Sequence, residues 1–227
     1  MFLSIKKKTL TIIVALIMIS IILVLQLSLS ITTSSPNYAL SIIIDAGHGG
    51  LDGGAVGKTG ITESFLNLQY AKELESVCKK AGLKVTMTRK DMNGLYSPLA
   101  QNKKKSEMEK REKIINESDG SIVVSIHMNS YPLSSLKGSQ VFYKKNNESG
   151  KGLAESMQKQ MKDHDIELRG EVSVGDYFVL NCTEKPAVLV ECGFLSNVED
   201  EKKLCDSAYR KKFCEILLLG ILNFYSV

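Results

Sequence analysis

The chain has 227 residues, room for one domain of ordinary size and a little more. Its 44% hydrophobic and 24% charged content is that of a folded globular protein and excludes a disordered chain. Three of its 29 Lys and Arg residues, Lys6, Lys7 and Lys8, precede the first acidic residue, Asp45, which leaves 26 basic against 25 acidic residues beyond that point. So balanced a body argues against a nucleic-acid binder.

From Thr9 to Ile31 the chain carries no charge and is mostly Ile, Leu, Val, Met and Ala. That length suits a bilayer-spanning helix, which needs about 20 apolar residues. With Lys6–Lys8 in front and nothing charged until Asp45, the positive-inside rule places residues 1–8 in the cytoplasm and the remainder outside. A cleaved signal peptide is the rival reading, with Ser28-Leu29-Ser30 as a loose cleavage site. The run is long for the h-region of such a peptide, about 7–15 residues, and favours an uncleaved single-pass membrane anchor over residues 9–31. Residues 32–40, with Thr32-Thr33-Ser34-Ser35-Pro36-Asn37, read as a polar linker.

The remainder, residues 41–227, reads as strands alternating with helices. Ser41–Asp45 is a short apolar run before a glycine-rich turn, as expected of a buried strand. Thr62 can cap a helix from Glu63 to Lys80, with Phe65, Leu66, Leu68, Ala71, Leu74 and Val77 at helical spacing and Gly82 as its stop. A strand over Leu83–Thr88 follows, then a charged helical stretch from about Leu99 to Glu117. Ser121–His127 predicts a third strand and the alternating Ser139–Lys144 a fourth. Gly150–His164 predicts an amphipathic helix, Asp176–Leu180 a short strand, Ala187–Glu191 a buried strand, and Glu199 to about Tyr225 the closing helices. The expected fold is a single three-layer α/β domain, a mostly parallel twisted sheet flanked by helices, behind one N-terminal transmembrane helix. Five cysteines (78, 182, 192, 205 and 214) form no CxxC pair, so neither a Cys-rich metal site nor a disulfide framework is expected.

Four residues lie where such a sheet builds its active site, beyond the carboxyl ends of the strands. His48 follows the first strand, His127 closes the third, Glu191 closes Val188-Leu189-Val190, and Glu63 opens the first helix. Two imidazoles and one carboxylate make a three-ligand catalytic zinc set. A further carboxylate can serve as general base. Each residue also has an ordinary structural role open to it: a core histidine, or a Glu that favours a helix dipole. Glu191 is the hardest to read that way, because a carboxylate after four apolar strand residues is costly unless a charge or metal answers it. His164, beside Asp163 and Asp165, reads as solvated surface.

The segments Ile44-Asp45-Ala46-Gly47-His48-Gly49-Gly50, Asp52-Gly53-Gly54-Ala55, Gly57, Gly60, Glu63 and Asn67-Leu68 resemble the start of the zinc-dependent N-acetylmuramoyl-L-alanine amidases. The resemblance continues in order through Val85, Thr88-Arg89, Asp91, Arg111, Ser125-Ile126-His127, Asn129, Gly138, Val141, Tyr143 and Arg169-Gly170. It ends on Pro186 to Glu191 and Gly193 to Asn197. One such domain behind one anchor is most similar to the spore-cortex amidases of endospore-forming bacteria. The resemblance implies one zinc held by His48, Glu63 and His127, with Glu191 as the catalytic glutamate. It implies peptidoglycan as substrate, cut between the lactyl group of N-acetylmuramic acid and L-alanine, outside the cytoplasmic membrane and in the space around a forespore. Asn129 and Arg169 are the candidate substrate contacts, Arg169 through a carboxylate that its guanidinium would match. Ser64 and Asn181 depart from the family, standing where Lys and a basic residue are common. Residues 145–185 leave little room for the plugging helix of some relatives, while control by an activating protein partner stays open. The metal set by itself would also suit a wall carboxypeptidase or deacetylase, and the fold a non-catalytic wall-binding protein.

Overall fold

The computed structural model describes residues 16–20 and 40–226. The chain divides into two units, Met1–Tyr38 and Ala39–Val227. In the first, residues 16–20 are helical; the rest of the expected anchor and the proposed cleavage site lie outside the described residues. Among the described residues no helix is long and apolar enough to cross a membrane.

The second unit is an α/β domain built on a six-stranded sheet. Its strands are β1 (Ser41–Ala46), β2 (Lys84–Met87), β3 (Ile122–Asn129), β4 (Gln140–Tyr143), β5 (Ser173–Val174) and β6 (Ala187–Phe194), in the order β2-β1-β3-β6-β4-β5. β2, β1, β3 and β6 are mutually parallel, but β4 runs antiparallel to β6 and carries β5 parallel to itself. The sheet is therefore mixed, more so than expected. The reason shows in the residues. β1, β3 and β6 are continuous apolar runs covered on both faces, the mark of central parallel strands. β4 fully buries only Val141, its other three residues being half-buried, as in a strand outside such a core.

The helices are α1 (Glu63–Lys80), α2 (Lys103–Glu117), α3 (Glu148–Asp163), α4 (Phe178–Asn181), α5 (Val198–Cys205) and α6 (Ser207–Tyr225). α1, α3 and α6 bury Leu74, Met157 and Leu217 in a large cluster with Ile42, Ile44, Val124, Ile126, Val188 and Val190 of the sheet. The opposite face is thinner: Ile43, Val123 and Leu189 pack there with Ile115 of α2 and with Val179 and Leu180 of α4. Successive strand residues face opposite ways. Asp45, His127 and Glu191 therefore all fall on the thin face, toward the carboxyl ends of three adjacent strands, while Cys192 joins the large cluster on the other side; His127 and Glu191 do not close their strands as expected, since β3 runs on to Asn129 and β6 to Phe194.

One expected element is wrong. Asp176–Leu180 is not a strand: pairing with Tyr143 ends at Gly175, and Phe178–Asn181 closes a single helical turn through Cys182 N–H to Phe178 O. A three-residue apolar run satisfies either period, and here the turn buries Val179 and Leu180 under the sheet. The capping of α1 also differs. Thr62 holds the N-cap position with extended backbone but its side chain makes no cap bond. The helix N–H groups of Glu63 and Ser64 instead donate to the carbonyls of Ala55 and Gly53, at 2.8 and 3.0 Å. The glycine-rich loop after β1 thus caps the helix and brings Glu63 back to the strand end.

All five cysteines are free thiols, with Cys78, Cys192 and Cys214 buried. Burial pushes the Cys78 thiol up to about 12 and that of Cys192 well above its ordinary value, so neither is a nucleophile at neutral pH.

Candidate metal centre

His48, Glu63 and His127 converge on one point. Glu63 Oε1 lies 3.0 Å from His48 Nε2 and 2.9 Å from His127 Nδ1, and the two imidazoles stand edge to face with centroids 5.1 Å apart. The crowding explains two glycines. A Cβ on Gly47 would lie 2.2 Å from the His127 ring, and one on Gly54 would lie 2.5 Å from Glu63 Oε2. Side chains at either position would push a member of the trio out of place.

The second oxygen of Glu63 accepts from the Ala55 N–H at 2.9 Å, and Asn67, one helical turn on, donates to Oε1 at 3.3 Å and to the Gly47 carbonyl at 3.1 Å. Burial alone would raise the Glu63 carboxyl, but hydrogen bonds from His127 and His48 outweigh it and hold it well below the usual carboxylate range. His48 moves the other way: burial lowers it, and the bond and charge of Glu63, then of Asp52, raise it. His48 Nδ1 stands 2.9 Å from Asp52 Oδ1, close enough for attraction but off the line of a full hydrogen bond. Asp52 is in turn paired with Lys104 of α2, and its carboxyl sits at about 2: burial opposes the shift, and Lys104 and His48 together override it.

Among the described residues these three form the one His/Cys/Asp/Glu group placed to hold a metal ion, with all donor atoms within 4.8 Å of one another. The donor set fits zinc. Two imidazole nitrogens and one carboxylate oxygen are the usual ligands of a catalytic zinc. A buried carboxylate held ionised between two imidazoles offers a cation three converging donors.

Glu191 stands outside that group. It is the register partner of His127 across β3 and β6, is 8% exposed, and its Oε2 has no hydrogen-bond partner. Burial pushes its carboxyl up to about 7, with the nearby His127 opposing and Glu63 adding to the rise. An ionisable group buried, unpaired and raised toward neutral pH beside a possible ligand group has the character of a candidate general base. A cavity of about 220 Å³ opens on the same sheet face, lined by His48, His127, Met108, Tyr177, Val179 and Leu189.

Asn129 and Arg169 each neighbour Phe194. Asn129 follows the bulge at the end of β3 and is opposite Phe194, over whose ring the exposed Arg169 guanidinium lies at 5.4 Å. Among the described residues neither side chain bonds to the trio. His164 is half-buried rather than fully solvated; it caps the end of α3, where its Nδ1 meets the Gln160 carbonyl at 2.9 Å. At the departing positions, the Ser64 carbonyl accepts from Arg89 at 2.8 Å, and Asn181 donates to Asp176 at 2.7 Å. Residues 145–185 hold α3, β5 and the four-residue α4, whose Phe178 and Val179 line the same cavity as His48 and His127.

Residue types alone gave no role to Asp45, Asn67, Arg89 or Arg111. Asp45 is fully enclosed, accepting from Thr88 at 2.7 Å, from Ser125 at 2.6 Å and from Arg111. Burial works against its ionisation, and Arg111 and the two hydroxyls more than offset that. Asn67 had one legible signal, its i+4 spacing from Glu63.

Similar proteins carry the same arrangement of elements. The solved CwlD amidase from Clostridioides difficile, determined in complex with the GerS lipoprotein, superposes with a TM-score of 0.77 at 34% identity, over 82% of this chain and 98% of that one. The catalytic domain of CwlV, an N-acetylmuramoyl-L-alanine amidase from Bacillus (Paenibacillus) polymyxa var. colistinus, gives 0.72 at 32% identity, over 82% and 98%. A germination-specific N-acetylmuramoyl-L-alanine amidase of Bacillus subtilis (strain 168) is 30% identical over 198 residues, 85% of this chain and 83% of the relative. The family pattern itself runs over residues 42–223, from the first core strand almost to the end of α6, and so the chain belongs to the N-acetylmuramoyl-L-alanine amidase family.

Proposed function

We propose that this amidase is a zinc enzyme in which His48, Glu63 and His127 hold the metal and Glu191 carries the proton, acting on peptidoglycan of the cell wall or spore cortex. The bond hydrolysed is the amide between the lactyl carboxyl of N-acetylmuramic acid and L-alanine of the stem peptide. The observation that supports this most is the register of His127 with Glu191, which sets an unpaired buried carboxylate beside the ligand cluster.

A zinc ion held by His48, Glu63 and His127 would supply Lewis acidity toward the scissile carbonyl and toward water, whose pKa it would lower to about 7. The residues do the rest. Glu63, fully ionised and fixed by Ala55 and Asn67, keeps the imidazoles oriented. Glu191 takes a proton from the attacking water as the C–O bond forms. It returns that proton to the alanine nitrogen as the C–N bond breaks, leaving a lactyl carboxylate and a free α-amine. Asn129 and Arg169, each beside Phe194, are the proposed contacts for the stem peptide, whose carboxylate would suit a guanidinium. Mass spectrometry of digested peptidoglycan tests the activity: new N-terminal alanine is expected, whereas free D-alanine or acetate would mean a carboxypeptidase or deacetylase.

The N-terminal run supports a membrane-anchored enzyme working outside the cytoplasmic membrane. Fractionated cells should show the mature protein in the membrane with Lys6–Lys8 retained; a soluble product starting near Ile31 would mean a cleaved signal peptide. The similarity to an amidase determined with a lipoprotein supports a protein partner for this chain as well. Cys192 adjoins Glu191 but lies on the other sheet face. Cys192→Ser should therefore keep most of its activity, losing some stability because a hydroxyl replaces a thiol in an apolar cluster. A folded, zinc-loaded but inactive Cys192→Ser protein would give that cysteine a role in the reaction.

A further inference from the structure

The turn that carries His48 is held in an unfavourable backbone conformation. His48 has φ +59°, in the left-handed region that side chains other than glycine seldom adopt. Such a residue persists only where its surroundings over-determine it. Here three successive carbonyls of the turn are bound by two arginines. The Ala46 carbonyl accepts from Arg89 Nε at 2.9 Å and from Arg111 Nη1 at 3.0 Å. The Gly47 carbonyl accepts from Arg89 Nη2 at 2.8 Å, and the His48 carbonyl from Arg111 Nη2 at 3.2 Å.

The two arginines differ in what holds them. Arg111 is paired with Asp45 and with Glu107. Arg89 is equally buried, 3% exposed, yet among the described residues it has no carboxylate partner within salt-bridge distance. Its hydrogen bonds go to backbone carbonyls: Ala46, Gly47, Asp91 and, at 2.8 Å from Nη2, Ser64, the residue after Glu63. Burial and the neighbouring Arg111 charge depress its pKa to about 10. A buried cation whose nearest carboxylates, Asp45, Glu107 and Asp91, act only from beyond salt-bridge distance is an expensive way to stabilise a fold. What the planar fork of Arg89 adds is a fixed spacing between two pieces of chain, the turn bearing His48 and the first turn of the helix bearing Glu63.

We infer that Arg89 is a positioning residue for the metal centre, fixing the distance between the ligands His48 and Glu63, with Arg111 steadying the same turn from the other side. This rests on the assignment of His48 and Glu63 as ligands. Lysine at position 89 would keep a charge but present one ammonium point, which cannot bind the Gly47 and Ser64 carbonyls, both held by Nη2, and at the same time the Ala46 and Asp91 carbonyls held by Nε and Nη1. The loss should be in metal affinity, since outer groups that orient ligands typically contribute about 10–100-fold.

The test uses the full chain with three variants, Arg89→Lys, Arg89→Met and, as a control far from the site, Leu217→Ala in the large core cluster. Zinc dissociation constants come from chelator competition, coordination from the visible spectrum of the cobalt-loaded protein, and folding from far-UV circular dichroism and Tm. Arg89→Lys is expected to fold, to bind zinc at least about tenfold more weakly and to show an altered cobalt spectrum. Leu217→Ala is expected to lower Tm while keeping wild-type affinity and spectrum. If Arg89→Lys does not fold, the same comparison is made on Arg89→Met, which fills the space without a charge. A folded Arg89 variant with wild-type affinity and spectrum overturns the inference, as does an equal loss of affinity in Leu217→Ala. If the unaltered protein binds no zinc, the ligand assignment itself fails, and that outcome is distinct from either.

Discussion

Glu191→Gln should leave a protein that folds, keeps its zinc and cleaves the muramoyl–alanine amide at least about a hundredfold more slowly. Glutamine preserves the shape of the side chain and removes the proton-carrying carboxylate. The ligand cluster is untouched, because Glu191 is the strand neighbour of His127 and not a member of the group that can hold a metal. Peptidoglycan binding should survive. Loss of metal with activity would make Glu191 a ligand; persistent activity would mean another group moves the proton. The same variant has a pH signature in chelator-treated protein. Burial raises the folded-state carboxyl from 4.5 to about 7, so folding takes up a proton between those values. Wild-type stability contributed by this group is present at low pH and is lost as pH rises through about 7, on the order of 3 kcal/mol at most. Glutamine lacks that loss. The Tm of the variant should gain on that of the wild type between pH 4.5 and about 7, measured by calorimetry without metal.

His127→Ala should lose most of its bound zinc. Its Nδ1 is one of three donors, and removing it leaves one imidazole and one carboxylate, too few for a tight site. The variant also strips Glu63 of the leading hydrogen bond that offsets burial, so the Glu63 carboxyl should rise toward its ordinary range. Elemental analysis of purified protein measures the first effect: one zinc per chain in the wild type and little in the variant. Full zinc retention with activity lost would move His127 from ligand to some other role and reopen the site.

Much of the fold is legible because its central strands are buried on both faces. Ser41–Asp45, Ser121–His127 and Ala187–Glu191 are apolar runs that no exposed element would carry, and each became a strand of the parallel core. The helix Glu63–Lys80 followed its apolar spacing to both ends. Legibility failed where runs were short. Phe178-Val179-Leu180 fits a strand or a helical turn, and what chose the turn was a place under Leu189 for two side chains. The antiparallel direction of Gln140–Tyr143 was likewise beyond reach, since it depends on β6, which comes almost 50 residues later, lying between it and β3.

The sequence by itself determined which residues could do chemistry and at which strand ends they would stand, because strand alternation is a local property and the family motifs are local strings. Period two separates neighbouring residues of one strand onto opposite faces, whereas the register of β1, β3 and β6 is what sets Asp45, His127 and Glu191 on the same one. Whether those groups meet is not local. Glu63 reaches His48 and His127 because the loop from Gly49 to Thr62 folds back and its carbonyls cap α1. Gly47 and Gly54 leave the space for the trio, and Arg89 ties two distant segments through carbonyls that carry no signal in the side-chain sequence. Backbone acceptors are the same at every position, so which of them a buried arginine will find is decided only once tertiary packing has fixed where the chain runs.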